Sequence, residues 1–103
     1  MGLLNRKSHK DGQGLKIEKE ITIVNRLGLH ARPAAMFVRI SSRYRAEVWV
    51  SKEGEEVNGK SIMGLMMLAA GTGAQVELRA TGPQAEAALA AVAELFARNF
   101  DET

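Results

Sequence analysis

The chain has 103 residues, 46% hydrophobic and 25% charged, with no cysteine. That composition fits one domain with one core and excludes disulfide frameworks, thiolate chemistry and cysteine-based zinc sites. Its formal charge of +2 is uneven: residues 1–19 hold five bases (Arg6, Lys7, Lys10, Lys16, Lys19) against two acids (Asp11, Glu18), and the remainder nine bases against ten acids.

With only two histidines and no Asp-rich loop, no metal site is expected, and without a phosphate-binding glycine loop no nucleotide or other cofactor is expected either. No apolar run approaches the roughly 18 residues of a membrane span, and the basic N-terminus lacks the apolar stretch of a secretory signal. A cytoplasmic protein that does not insert into membranes is the expectation. The stretch from Asn5 to Gly14 is polar, carries two glycines and shows no period, so residues 1–14 are expected to form a disordered basic arm preceding a domain over 15–103. Such arms bind nucleic acid in some proteins, but the near-neutral remainder argues against a nucleic-acid partner.

Hydrophobic periods begin at residue 15. Ile17, Ile21 and Ile23 alternate with Glu18, Glu20 and Thr22, which predicts a half-buried strand ending near Asn25. A helix is predicted after His30, with Phe37, Ile40 and Tyr44 on its apolar face and Pro33 tolerated in the first turn. Ala46, Val48 and Val50 predict a second strand, and Gly54 a turn into a short third strand from Glu55 to Asn58. Ser61 is a predicted N-cap for a short helix over Ile62 to Ala70, with Gly71 as its left-handed stop. Val76, Leu78 and Ala80 alternate as a fourth strand. Thr81-Gly82-Pro83 then opens a final helix with a Leu89, Val92, Phe96 and Phe100 stripe. The order is β-α-β-β-α-β-α. One polar side per strand implies an antiparallel sheet with helices on one face, an α+β fold.

Chemistry concentrates at Gly28-Leu29-His30-Ala31-Arg32-Pro33-Ala34. A histidine just before a helix start has unbonded first-turn N–H groups beside it, and with the helix dipole these favour an anion. Arg32 supplies a charge-assisted hydrogen bond to phosphate oxygens, and a neutral imidazole is a competent nucleophile near pH 7. Phosphohistidine is the implied product. The plainer alternative makes His30 a capping histidine and Arg32 a surface charge.

This segment, with Asn-Gly-Lys-Ser-Ile-Met-Gly-Leu-Met at 58–66, resembles the HPr phosphocarriers of the bacterial phosphoenolpyruvate-dependent phosphotransferase system. The resemblance runs from about Ile17 to Asp101. It implies an open-faced sandwich, a four-stranded antiparallel sheet with three helices on one face. It also implies that His30 is phosphorylated on Nδ1 by enzyme I and passes the group to IIA domains of sugar transporters or regulators, assisted by Arg32. Ser61 matches the serine modified by an HPr kinase/phosphorylase, although an ordinary N-cap explains it equally well. The implied role is a stoichiometric carrier, not an enzyme, and a monomer.

Arg32, Met36, Arg39 and Arg43, spaced by four, three and four, are expected on one helix face. Ile62, Met63 and Met66 resemble the family's apolar docking patch, leaving Leu65 and Leu68 for the core. A basic rim beside methionines suits successive partners; the alternative is solvated arginines and core methionines. Leu27 before Gly28, the Ala80–Gln84 segment and the Phe100-Asp101-Glu102 ending look like the nitrogen-branch paralogue, whereas Lys60 to Gly64 resembles serine-regulated carriers. Two other roles therefore stay open: a nitrogen-branch regulatory carrier, or a phosphoserine-dependent module binding a transcription regulator.

Overall fold

A computed structural model describes residues 15–23, 29–68, 71 and 73–101. Strand β1 (Leu15–Thr22) is followed by helix α1 (Ala31–Ser41), strands β2 (Glu47–Lys52) and β3 (Glu55–Asn58), helix α2 (Ile62–Met67), strand β4 (Gln75–Gly82), helix α3 (Ala85–Ala97) and a 3₁₀ turn over Asn99–Asp101. The strands form one antiparallel sheet in the order β1-β4-β2-β3.

Alternation along the strands decides which side the helices cover. Val48 and Val50 of β2 and Val76, Leu78 and Ala80 of β4 are buried, while Glu47, Gln75 and Glu77 between and beside them are exposed. The helices bury Ala34 and Phe37, Leu65, and Ala88, Leu89, Val92, Leu95 and Phe96 against that layer. Each large apolar side chain removed from water in this way contributes about 1.5–3 kcal/mol. Phe96 is central, meeting Phe37 edge-on at 6.1 Å between centroids and Phe100 at 4.9 Å. The result is the expected α+β open-faced sandwich, and among the described residues no helix is long and apolar enough to cross a membrane.

Three element ends differ from those read in the sequence. Strand β1 stops at Thr22, where Ile23 turns to bond Ala74 and Gly73; Asn25 lies outside the described residues, as does the arm 1–14. Arg43 and Tyr44 lie beyond α1, whose C-cap is Ser42; their amides donate to Ile40 and Ser41 carbonyls in short turns. Helix α2 ends at Met67, because the Leu68 amide reaches back only three residues to Leu65, tightening the last turn. Residues 69 and 70 lie outside the described residues.

The left-handed glycine after α2 is Gly73, at φ 90°, rather than Gly71. Its amide donates to the Ile23 carbonyl at 2.8 Å, so the conformation serves the link to β1 rather than the helix stop. Thr81 and Gly82 likewise close β4 instead of opening α3, since pairing continues through Lys16↔Thr81 and Leu15↔Gly82. Gly82 sits at φ 116°, and a Cβ there would lie 3.2 Å from the Arg45 carbonyl and the Ala46 Cα. That close approach lets the Gln84 side chain accept from the Arg45 amide at 2.7 Å while the Gln84 amide donates back to the Arg45 carbonyl at 3.0 Å.

Candidate functional site

His30 is the N-cap of α1, in an extended conformation (φ −83°, ψ −168°), half-buried, with its imidazole making no capping bond. Leu29 before it and Ala34 four residues into the turn are both buried, the positions of a hydrophobic staple that fixes how the chain enters the helix. Intrahelical bonding begins at the Ala34 amide, which donates to the His30 carbonyl at 3.0 Å. Pro33 has no amide hydrogen, so Ala31 and Arg32 carry the first-turn N–H groups that the helix itself does not use. No acidic residue occupies that first turn, and the helix dipole favours an anion there.

Arg32 is exposed, and its Nη1 donates to the Phe100 carbonyl at 3.2 Å. This bond spans 68 residues and brings the end of the described chain beside the start of α1. Asn99, Phe100 and Asp101 all adopt left-handed backbone conformations, with φ of 59°, 52° and 58°. The turn is anchored by the fully buried Phe100 ring and by Arg98, which contacts Asp101 at 3.1 Å. Nothing in side-chain periodicity announces a backbone carbonyl as the partner of Arg32; the aromatic stripe ending at Phe100 was the only available hint.

The second motif is placed differently. Ser61 is the N-cap of α2, and its Oγ accepts from the Gly64 amide at 3.0 Å. Its turn is tied to the far end of α1: buried Ser41 donates to the Gly59 carbonyl at 2.8 Å, and Lys60 Nζ donates to the Tyr44 carbonyl at 3.2 Å. His30 stands at the other end of that 11-residue helix, about 16 Å long at 1.5 Å per residue. His30 and Arg32 therefore share one end of α1, and Ser61 belongs to the opposite end. Ser61→Ala is expected to lower stability by about 1 kcal/mol through loss of the cap. Chemical denaturation measures this, and an unchanged midpoint would contradict the cap's role.

Of the docking candidates, Arg39 is exposed in the last turn of α1 and Arg43 is exposed beyond it. Met36 is half-buried and packs against the core. On α2, Ile62 (40% accessible), Met63 (72%) and Met66 (44%) face solvent, and so does Met67 (73%), which spacing alone did not single out. Leu65 and Leu68 are buried, as expected. Met67 escaped notice because the six-residue α2 is too short to display a clear period. Among the described residues no group of three or more His, Asp or Glu side chains is placed to hold a metal.

Comparison with known proteins rests on most of this architecture. A family model described as the PTS HPr component phosphorylation site matches residues 17–98. The phosphocarrier protein HPr of Pseudomonas aeruginosa is 52% identical over 84 residues, which are 81% of this chain and 93% of that protein. The corresponding protein of Treponema pallidum is 43% identical over 86 residues, 84% of this chain and 98% of that one. Among solved structures, HPr from Thermoanaerobacter tengcongensis superposes with a TM-score of 0.81 at 44% identity, covering 84% of this chain and 97% of that one. An open-faced α+β sandwich is the shared class of fold. The chain belongs to the HPr family, the phosphocarrier component of the phosphotransferase system.

Proposed function

We propose that this chain is a stoichiometric relay in which His30 accepts a phosphoryl group from phosphorylated enzyme I and donates it to a IIA-type protein. The observation that carries this reading is the placement of His30 at the N-cap of α1 with its imidazole not spent on capping, and Arg32 within the same turn.

In the transfer, the Nδ1 lone pair of neutral imidazole attacks phosphorus. The new N–P bond forms as the bond to the donor breaks, and the donor keeps that bond's electron pair. The Ala31 and Arg32 amides and the Arg32 guanidinium face the negative charge on the equatorial oxygens. The reverse sequence, with a partner nucleophile attacking the phosphohistidine, returns His30 to its starting state. The chain thus acts as a monomeric cytoplasmic reactant consumed and regenerated in turn, without a cofactor.

Arg39, Arg43 and Met36 on one side and Ile62, Met63 and Met66 on the other form the docking surface for both partners in this proposal. Basic side chains speed encounter with acidic partners, and methionine adapts to different apolar surfaces. Phosphorylation of Ser61 by an HPr kinase/phosphorylase would add negative charge beside Ile62 and Met63 and weaken such docking.

Intact mass after incubation with phosphoenolpyruvate and enzyme I tests the relay. One acid-labile phosphoryl group is expected on the wild-type chain and none on His30→Ala. Equal uptake by the two proteins would overturn the assignment.

A further inference from the structure

Helix α2 gathers Met63, Met66 and Met67, three of the five methionines of the chain, within six residues. Met63 and Met67 are four apart and so stand one above the other on the same side of the helix. At 72% and 73% accessible they are the most exposed large apolar side chains among the described residues. Met66 is less open, at 44%, and Met36 packs half-buried against the core.

The chemistry of sulfur separates these two side chains from an ordinary apolar contact. A thioether is polarisable and nucleophilic, and peroxides oxidise it to a sulfoxide. A thiolate would compete for the oxidant, but this chain has no cysteine. Two open thioethers on one helical turn are therefore the groups of the described domain that a peroxide reaches first.

We propose that Met63 and Met67 form a peroxide-sensitive modification site whose oxidation to methionine sulfoxide weakens docking on α2; this rests on the relay reading, in which α2 is part of the docking surface. In each oxidation the sulfur lone pair attacks one oxygen of hydrogen peroxide. The S–O bond forms as the O–O bond breaks, and the departing hydroxide takes the proton of the transferred oxygen and leaves as water. Sulfur gives up two electrons and the peroxide is reduced. The change is reversible, because a methionine sulfoxide reductase removes the oxygen as water while a dithiol is oxidised to a disulfide.

Exposure decides where the modification acts. In the free chain both sulfoxide oxygens stay in water, so the fold is unaffected. At an apolar interface they lose that water, and a buried acceptor without a donor is strongly unfavourable. His30 caps the end of α1 remote from the Ser61 turn that opens α2. The effect therefore falls on partner binding and leaves the chemistry of transfer alone.

Limited treatment with hydrogen peroxide, followed by peptide mapping and by kinetics of phosphoryl uptake from enzyme I, tests the proposal. Met63 and Met67 are expected to gain one oxygen each at least about threefold faster than Met36, with the circular dichroism of the chain unchanged. The KM of enzyme I for the oxidised chain is expected to rise at least about fivefold while kcat stays within about twofold of its untreated value. Treatment with the reductase and a dithiol should restore KM. Met63→Leu/Met67→Leu, compared only with its own untreated form, is expected to keep the same KM after peroxide. Oxidation of Met36 at an equal rate, loss of the fold on oxidation, an unchanged KM with both sulfoxides in place, a loss confined to kcat, or a KM that still rises in the double variant would each overturn the proposal. An untreated chain that takes up no phosphoryl group would overturn the relay reading first and this proposal with it, whichever methionines oxidise.

Discussion

Replacing Phe100 with alanine is expected to lower the stability of the fold by about 3–5 kcal/mol, the cost of emptying a fully buried aromatic site. The ring is completely buried and packs on Phe96, which in turn meets Phe37 of α1. Its anchorage also holds three successive non-glycine residues in left-handed conformations, each costing of order 1–3 kcal/mol when unsupported. The exposed Arg98–Asp101 pair cannot hold that turn alone, since surface ion pairs contribute at most about 1 kcal/mol. The Phe100 carbonyl accepts from Arg32, so melting of the turn should also release that guanidinium from its fixed position. Urea unfolding followed by circular dichroism measures the effect. A loss below about 1 kcal/mol would show that the core closes without this ring.

Arg32→Ala is expected to act on transfer rather than on folding. The side chain is exposed and donates at 3.2 Å to a backbone carbonyl, so its removal should change stability by no more than about 1 kcal/mol. Removing a preorganised donor from a developing anionic centre costs about 10²–10³ in rate, and phosphoryl transfer to His30 is expected to slow accordingly. Arg32→Lys keeps the charge but loses the planar fork, and should fall between the two. Rapid-quench measurement of phosphoryl uptake from enzyme I separates the three proteins. Equal rates for wild type and Arg32→Ala would remove Arg32 from the site.

The legible parts of this molecule are those in which a side-chain period coincides with burial. Val48 and Val50, Val76 to Ala80, and Leu89, Val92 and Phe96 all lie in the core at the spacing their strands and helix require. Ser61 was equally readable, because a cap needs a hydroxyl at the boundary and the Gly64 amide supplies its donor.

What escaped were features decided by backbone geometry or by distant contacts. Gly71 and Gly73 are indistinguishable by local composition, and the bond from the Gly73 amide to Ile23 selects the second as left-handed. Thr81-Gly82-Pro83 reads as a helix opening until the register shows Thr81 and Gly82 still paired with β1. The left-handed run at Asn99–Asp101 and its carbonyl partner for Arg32 depend on contacts across most of the chain's length. His30 at the helix start was visible because the Leu29–Pro33 sequence sets the helix boundary locally.

In the proposed relay one particular nitrogen, Nδ1 of His30, carries the phosphoryl group. The chain has two histidines, His9 and His30, and ¹⁵N-resolved imidazole spectra recorded during incubation with phosphoenolpyruvate and catalytic enzyme I distinguish them. The expected result is phosphorus coupling at Nδ1 of His30, with His9 unchanged, and its disappearance when a IIA acceptor is added. A phosphoryl group on His9, or an acid-stable one on Ser61 with His30 unmodified, would contradict the account.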